Sequence, residues 1–109
     1  MSEWEAVCPI DGIEHERGAT ALVHGQAVAI FRTQDDQFFA IGNHDPFSRS
    51  TVLGRGIVGV RDDRPFVASP VHRHGFDLAT GVCLDDDQVS VPAYAVRVEN
   101  GVVHVGARR

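Results

Sequence analysis

Two stretches of the sequence share a pattern in which an apolar run leads into an irregular loop. The first reads Phe39-Ala40-Ile41-Gly42-Asn43-His44-Asp45-Pro46-Phe47, and the second reads Val67-Ala68-Ser69-Pro70-Val71-His72-Arg73-His74-Gly75-Phe76-Asp77-Leu78-Ala79-Thr80-Gly81. Each begins with a short apolar run typical of a strand and continues into polar, proline-containing sequence without alternation. Long irregular loops in a small domain usually carry function or recognition. The two loops therefore predict a shared tip at one end of the molecule.

The rest of the chain has an all-β pattern. Most apolar segments are short, rich in Val, Ile, Phe and Ala, and interrupted every ~8–12 residues by Gly, Asn or Asp, which predicts a β-sandwich or a partly open barrel. The clearest hairpin joins Tyr94–Glu99 to Val102–Val105. Its turn is Asn100-Gly101, a pair that favours the positive φ angles of a type I′ turn.

Two further local predictions rest on weaker signals. A second hairpin is predicted from Ala19–His24 and Ala27–Arg32, with Gly25-Gln26 as a two-residue turn that has glycine in its first position. The segment Ser48–Leu53 begins with a serine that could cap one helical turn before the glycines that follow it.

Length and charge limit the function. The chain has 109 residues, 43% of them apolar and 23% charged, which is the composition of one globular domain. It holds ten arginines, no lysine and fifteen acidic residues, for a formal charge of −5. The negative net charge repels phosphate groups, and the composition provides no basic face for binding nucleic acid. The expected partner is therefore a protein.

The targeting signals and the cysteines of the sequence both bear on the cellular compartment of the protein. The start, Met1-Ser2-Glu3-Trp4-Glu5, is acidic where a signal peptide needs positive charge, and no apolar run reaches the ~18 residues of a membrane span. Cys8 and Cys83 are far apart and form no C-x-x-C pair, as expected of reduced core thiols. We therefore expect a cytoplasmic protein with no membrane partner and no disulfide.

The two loop sequences resemble those of Rieske-type domains. In that family the first loop reads roughly Asn-x-Cys-Pro-His, and the second reads Cys-Pro-x-His followed by Gly, Phe-Asp-Leu and Thr-Gly. The framework of both motifs is present here, including the proline after each cysteine position. The positions of the four cluster ligands fall on Asp45, Phe47, Ser69 and His72.

These residues lack most of the chemistry of the family's cluster. A Rieske [2Fe-2S] centre needs two thiolates on one iron and two imidazoles on the other. Asp45 offers a hard oxygen, Ser69 a hydroxyl that stays protonated at neutral pH, and Phe47 offers no donor. Only His72 keeps a ligand type, so we expect no cluster and no other cofactor on this chain.

Among Rieske-like proteins, the chain closely resembles the small subunits of assimilatory NAD(P)H-dependent nitrite reductases. The segments that carry this resemblance include Val52-Leu53-Gly54-Arg55-Gly56, Asp45-Pro46-Phe47 and Ala68-Ser69-Pro70. The resemblance implies a single Rieske-like domain over residues 1–109, with an inserted subdomain at roughly 42–81. It also implies an accessory chain without catalytic residues, bound to a large catalytic subunit that carries FAD, an iron–sulfur cluster and sirohaem and reduces nitrite to ammonia.

Docking is expected to use the two loops. The candidate partner contacts are Asn43, His44, Asp45, Pro46, Phe47, Arg55, Pro70, His72, Arg73 and His74. Several arginines gather in the middle of the chain, where they could recognise an acidic partner or simply lie in solvent. They are Arg49, Arg55, Arg61, Arg64 and Arg73.

Two alternatives from other classes stay open. One is a small Rieske-like electron carrier, which would require the missing ligands. The other is a mononuclear metal protein in which His44, Asp45, His72 and His74 converge, since two imidazoles and a carboxylate can hold non-haem iron. For single residues, Asp45 could simply form an Asx turn, and Phe47 could fill the space that a cluster leaves.

Overall fold

The computed structural model describes residues 3–109. Those residues form eleven β-strands and two single-turn 3₁₀ helices, at Ile10–Gly12 and Leu53–Arg55. The strands are β1 Glu5–Pro9, β2 Arg17–Val23, β3 Gln26–Arg32, β4 Phe38–Gly42, β5 His44–Asp45, β6 Ser50–Thr51, β7 Ile57–Arg61, β8 Arg64–Ala68, β9 Gly75–Asp77, β10 Ala93–Glu99 and β11 Val102–Arg108. The all-β prediction is confirmed.

Six of the strands form one large antiparallel sheet in the order β1-β11-β10-β4-β3-β2. The sheet curls into a nearly closed barrel because its two edges approach each other. At that seam the backbone N–H of His24 donates to a carboxylate oxygen of Glu5, and the His24 ring lies 2.8 Å from the carbonyl oxygen of Glu3. Apolar side chains fill the interior: Ile13, Val23, Val28, Ile30, Ala40, Val103 and Val105.

The hairpins test the turn predictions directly. The turn at Asn100-Gly101 is confirmed, with φ values of 52° and 74°. The second hairpin forms, but its turn is wrong by one residue. Val23 pairs with Gln26, so the turn residues are His24 and Gly25, with φ values of 50° and 78°. Positive φ at both positions is the type I′ pattern, which matches the right-handed twist of the flanking strands.

The predicted helical turn at Ser48–Leu53 is wrong. Ser50–Thr51 instead forms the short strand β6 against His44–Asp45, and the 3₁₀ turn begins only at Leu53. The hydroxyl of Ser48 donates to the carboxylate of Asp45 and does not cap a helix. The serine therefore closes a loop in this sequence context.

A three-stranded sheet, β7-β8-β9, follows and packs beside the barrel. Strand β7 was not predicted from the sequence. It pairs with β8 through a two-residue turn at Asp62 and Asp63, both of which have positive φ. The sequence predicts a second irregular segment at Ser69–Gly75; in the structure it occupies residues 69–74, between β8 and β9, because Gly75 begins β9. The boundaries of the inserted subdomain stay a prediction.

The small sheet and the barrel share a second apolar core. Its largest fully buried members are Phe31, Ile41, Leu53, Phe76 and Leu78. The backbone of Gly54, in the second 3₁₀ turn, packs closely against Thr20 of β2. A Cβ added at Gly54 would lie 2.5 Å from the Thr20 methyl carbon. The loop that contains the first motif is thus held firmly against β2.

Two other expectations can be checked in the fold. Both cysteines are free: Cys8 is half-buried on β1, where burial raises the pKa of its thiol, and Cys83 is buried. Within residues 3–109 the structure contains no helix that is long and apolar enough to cross a membrane.

Candidate functional site at the loop tip

The two loops meet through a hydrogen bond between two ligand-position residues. The hydroxyl of Ser69 donates to Oδ2 of Asp45 at 2.5 Å, and both residues are almost fully buried, with 1% and 0% exposure. Asp45 is the last residue of β5, and Ser69 directly follows β8. We call this contact the Asp45–Ser69 bridge, and we call residues 43–49 and 69–74 together the tip.

The two loops of the tip have the same local design. In the first, Asp45 accepts the backbone N–H of Phe47 through Oδ1, and its carbonyl oxygen accepts the N–H of Arg49. In the second, the Ser69 hydroxyl oxygen accepts the N–H of Val71, and its carbonyl oxygen accepts the N–H of Arg73. Each loop therefore starts at a bridge residue and closes four residues later.

The buried carboxylate of Asp45 accepts several hydrogen bonds from groups of the protein. Besides Ser69 and the Phe47 amide, Asp45 accepts the hydroxyl of Ser48 at 3.0 Å. Burial alone would raise the pKa of Asp45, but these hydrogen bonds outweigh it and hold the pKa below its ordinary value of 3.8. Asp45 is thus a buried charge kept ionised by hydrogen bonds. The Asx-turn interpretation is confirmed by the bond to the Phe47 amide.

An aromatic stack joins the loops at a second point. The Phe47 ring lies parallel to the His74 ring, with centroids 3.7 Å apart and planes 8° apart. Phe47 also packs against the buried core beside Phe76, so it fills space between the loops as the sequence suggested. The Nδ1 atom of His74 is buried and has no hydrogen-bond partner among the described residues. His72, by contrast, is exposed.

The candidate contact residues therefore divide into three groups, and the half-buried one consists of the stacked pair Phe47 and His74. His44, Pro46, Pro70, His72 and Arg73 are exposed at the tip, and Arg55 is exposed on the 3₁₀ turn, beside Glu16 and Arg17. Asn43 and Asp45 are buried, so they cannot form the outer surface that the sequence analysis expected of them. Asn43 accepts the N–H of Gly54 at 2.7 Å, which ties the first loop to the 3₁₀ turn.

Comparison with known proteins identifies the family. The sequence model of the Rieske-like [2Fe-2S] domain matches residues 3–106. The chain belongs to this family. Among solved structures, the ferredoxin of carbazole 1,9a-dioxygenase from Nocardioides aromaticivorans IC177 superimposes with a TM-score of 0.81 and 23% identity, covering 94% of this chain and 96% of that one. At this identity the likeness concerns the fold alone.

More similar relatives are nitrite reductase small subunits. The nitrite reductase (NADH) small subunit of Escherichia coli K12 is 45% identical over 106 residues, which cover 96% of this chain and 98% of that protein. The structure described as a putative NADH-dependent nitrite reductase small subunit from Mycobacterium tuberculosis has a TM-score of 0.92 at 43% identity, covering 95% and 94% of the two chains. The resemblance to this group is confirmed.

One relative is a much longer protein. The nitrite reductase [NAD(P)H] large subunit of Klebsiella oxytoca is 37% identical over 103 residues. The match covers 94% of this chain but 11% of that protein. A segment similar to nearly the whole of this Rieske-like chain is therefore part of a large-subunit polypeptide in that organism.

The tip residues do not fit the cluster of the family. Iron–sulfur ligation needs thiolates, and a Rieske centre adds two imidazoles. Asp45 and Ser69 offer no sulfur and are hydrogen-bonded directly to each other. Phe47 offers no donor atom, and its ring is stacked on His74. Cys8 and Cys83 lie outside both loops, so neither supplies a replacement thiolate.

The mononuclear alternative is not supported either. Within residues 3–109, no three His, Cys, Asp or Glu side chains are arranged to hold a metal ion. His44 and His72 face solvent, while both oxygens of Asp45 already accept hydrogen bonds.

The arginines that gather in the middle of the sequence separate in the structure. Arg61 pairs with Asp85 at 3.6 Å, and Arg64 pairs with Asp77 at 3.5 Å. Arg49, Arg55 and Arg73 are exposed and form no ion pair with any residue in 3–109. The sequence indicated Arg49 only as one of five arginines that could recognise an acidic partner, and not as a contact of the tip. The sequence signal for Arg49 is its spacing, because it follows Asp45 by four residues just as Arg73 follows Ser69 by four residues.

Proposed function

We propose that this chain is the accessory small subunit of an NAD(P)H-dependent nitrite reductase that docks on the large catalytic subunit through the tip. The observation that carries the proposal is the near-complete match to nitrite reductase small subunits, at 45% identity over 96% of the chain. In this role the chain holds no cofactor. FAD, an iron–sulfur cluster and sirohaem belong to the large subunit, where electrons from reduced nicotinamide convert nitrite to ammonia.

The Klebsiella oxytoca protein supports the choice of partner. Its large subunit includes a segment that is 37% identical to this chain. Joining two domains in one polypeptide keeps them at high effective concentration, which favours domains that work in contact. A separate chain of the same kind must reach that contact by binding, so a large subunit is the natural partner here.

The geometry of the tip supports a role in recognition rather than redox chemistry. The Asp45–Ser69 bridge and the Phe47–His74 stack join the loops without iron. Rigid loops lose little conformational freedom on binding, so little affinity is lost in ordering them. The exposed residues of the tip are therefore presented in a fixed arrangement to a partner surface.

The proposed setting is nitrate assimilation in the cytoplasm. The relatives' names include NADH or NAD(P)H as the electron donor. Reduced nicotinamide is an intracellular metabolite, and the two free cysteines agree with a reducing compartment.

Equilibrium binding tests the proposal. The chain and the large subunit of the same organism are purified separately and mixed, and complex formation is followed by sedimentation velocity. We expect a saturable complex, with FAD, sirohaem and all iron recovered in the large subunit before mixing. Absence of a complex at micromolar concentrations of both subunits would refute the docking role.

Two variants with small surface changes, one at the tip and one away from it, test whether the tip is the docking face. Pro70→Ser alters an exposed tip residue, while Ala107→Ser makes an equally small change to an exposed residue of β11. We expect only the tip substitution to weaken binding. Equal affinities for both variants and the wild-type chain would argue against Pro70 as a contact.

A further inference from the structure

The tip differs in charge from the rest of the chain. Fourteen of the fifteen acidic residues lie outside residues 43–49 and 69–74, and the one inside, Asp45, is fully buried and bound to internal donors. The exposed formal charges of the tip are therefore the guanidinium groups of Arg49 and Arg73. The two loops themselves thus carry only positive exposed charge, although the chain has a net charge of −5. Asp85, which accepts the N–H of Gly75 beside the second loop, is already paired with Arg61.

The two arginines occupy equivalent places. The backbone N–H of Arg49 donates to the carbonyl of Asp45 at 2.8 Å, and that of Arg73 donates to the carbonyl of Ser69 at 3.0 Å. Each arginine is therefore tied through its backbone to one of the two residues that the bridge joins. Both have left-handed backbone conformations, with φ values of 59° and 62°.

Neither arginine is used inside the chain. Five of the other arginines form ion pairs, for example Arg61 with Asp85 and Arg64 with Asp77. Arg49 and Arg73 form none with the described residues. The left-handed region is costly for a residue with a side chain, so glycine would satisfy the backbone better at both turns. Both guanidinium groups are exposed, so they can pair with carboxylates of another molecule.

The same two loops also expose apolar residues. Pro46 and Pro70 are exposed, and Val71 is 46% exposed. Exposed apolar residues together with arginines are typical of a protein–protein contact, where arginine is enriched. Arginine also matches a carboxylate through two parallel hydrogen bonds.

We propose that Arg49 and Arg73 form a fork that recognises carboxylates on an acidic surface of the large subunit. The inference rests on the proposed docking function and names the chemistry of the partner surface. One arginine belongs to each loop and the bridge joins the loops, so the fork requires carboxylates that both loops can reach at once.

The experiment compares four charge variants in binding to the large subunit. Arg49→Glu and Arg73→Glu test the fork, and the double alanine variant at the same two positions removes the charges without reversing them. Arg108→Glu is the control, since Arg108 is an exposed arginine of β11 that also forms no ion pair with the described residues. Circular dichroism verifies that all four variants are folded.

We expect each reversal at the fork to weaken binding at least about tenfold at low ionic strength, and the control to change it less than about twofold. The loss should shrink in about 0.5 M salt, where charge interactions are screened. The double alanine variant should also bind more weakly than the wild-type chain.

The outcomes separate the two proposals. If the wild-type chain binds the large subunit and both fork variants bind within about twofold of it, the fork is refuted while docking stands. If the wild-type chain does not bind, the docking function itself fails. Binding of NADH to the isolated chain that is abolished by Arg73→Glu would also refute the fork, because its anion would then be a nucleotide phosphate.

Discussion

The Asp45–Ser69 bridge yields the sharpest prediction on stability. We consider Asp45→Asn, Ser69→Ala and the double variant. The bond is 2.5 Å long between two buried side chains, and hydrogen bonds to a charged group contribute about 1.5–3 kcal/mol each. We expect each single variant to lower the free energy of unfolding by about that amount. The double variant should lose about 1–2 kcal/mol less than the two single losses together, because both remove the same bond.

Urea unfolding at neutral pH measures these differences. Ser48→Ala is the matched control, because its hydroxyl donates to the same carboxylate oxygen but is only half-buried and lies in the same loop. Water can replace it, so we expect a loss below about 1 kcal/mol. Additivity of Asp45→Asn and Ser69→Ala within about 0.5 kcal/mol would show that the two residues are not coupled and would refute the bridge as a link between the loops.

The remaining predictions concern pH, packing and ligation. Because hydrogen bonds hold the pKa of Asp45 below 3.8, the stability difference between wild type and Asp45→Asn should be fully present above that pH and vanish as pH falls through the lowered pKa; a difference that is constant down to pH 2 in urea titrations would contradict this. Phe47→Leu should cost less stability than Phe47→Ala, by about 1–2 kcal/mol in thermal unfolding, because leucine keeps the burial and loses only the His74 stack; equal losses would show that only the stack matters. Gly54→Ala should destabilise the fold by about 1–3 kcal/mol in chemical unfolding, and Thr20→Ser should restore part of the loss by removing the methyl carbon 2.5 Å from the added Cβ; no rescue would place the clash elsewhere. The triple variant Asp45→Cys, Phe47→His and Ser69→Cys has, together with His72, all four ligands of a Rieske centre. It should assemble a [2Fe-2S] centre with visible absorption, and adding His72→Ala should abolish that absorption.

The parts of the fold that could be predicted are those set by local chemistry. Asn100-Gly101 predicts its turn because both residues tolerate positive φ, and the structure has them there. The turn at His24-Gly25 was misplaced by one residue because glycine fits either position of the pair. The pairing of Val23 with Gln26 decides between them, and that pairing is set by the neighbouring strand.

The errors and omissions arise from contacts between distant residues. Ser48 resembles a helix cap locally, but Asp45 takes its hydroxyl in the folded loop. Arg61 and Arg64 could not be separated from Arg49 and Arg73 by sequence, because their acidic partners come from other segments. Strand β7 follows closely spaced glycines and ends in an Asp-Asp turn, neither of which is a strong strand signal.

The candidate site was predictable in its chemistry but not in its geometry. The absence of three of the four cluster ligands can be read directly from the residues at positions aligned with the motif. What replaces the cluster cannot be read in this way. The Asp45–Ser69 bridge and the Phe47–His74 stack each join residues more than twenty positions apart, so they appear only when the two loops are brought together.

This Rieske-like chain joins its two loops by hydrogen bonding and stacking at the positions where a Rieske centre has its cluster ligands. The most direct measurement is the ultraviolet–visible spectrum, with iron and acid-labile sulfide analysis, of the chain purified without a tag from iron-replete, anaerobic cells. We expect no absorption beyond the ultraviolet and no stoichiometric iron or sulfide. Visible absorption with two irons and two sulfides per chain would contradict it, and the chain would then be an electron carrier.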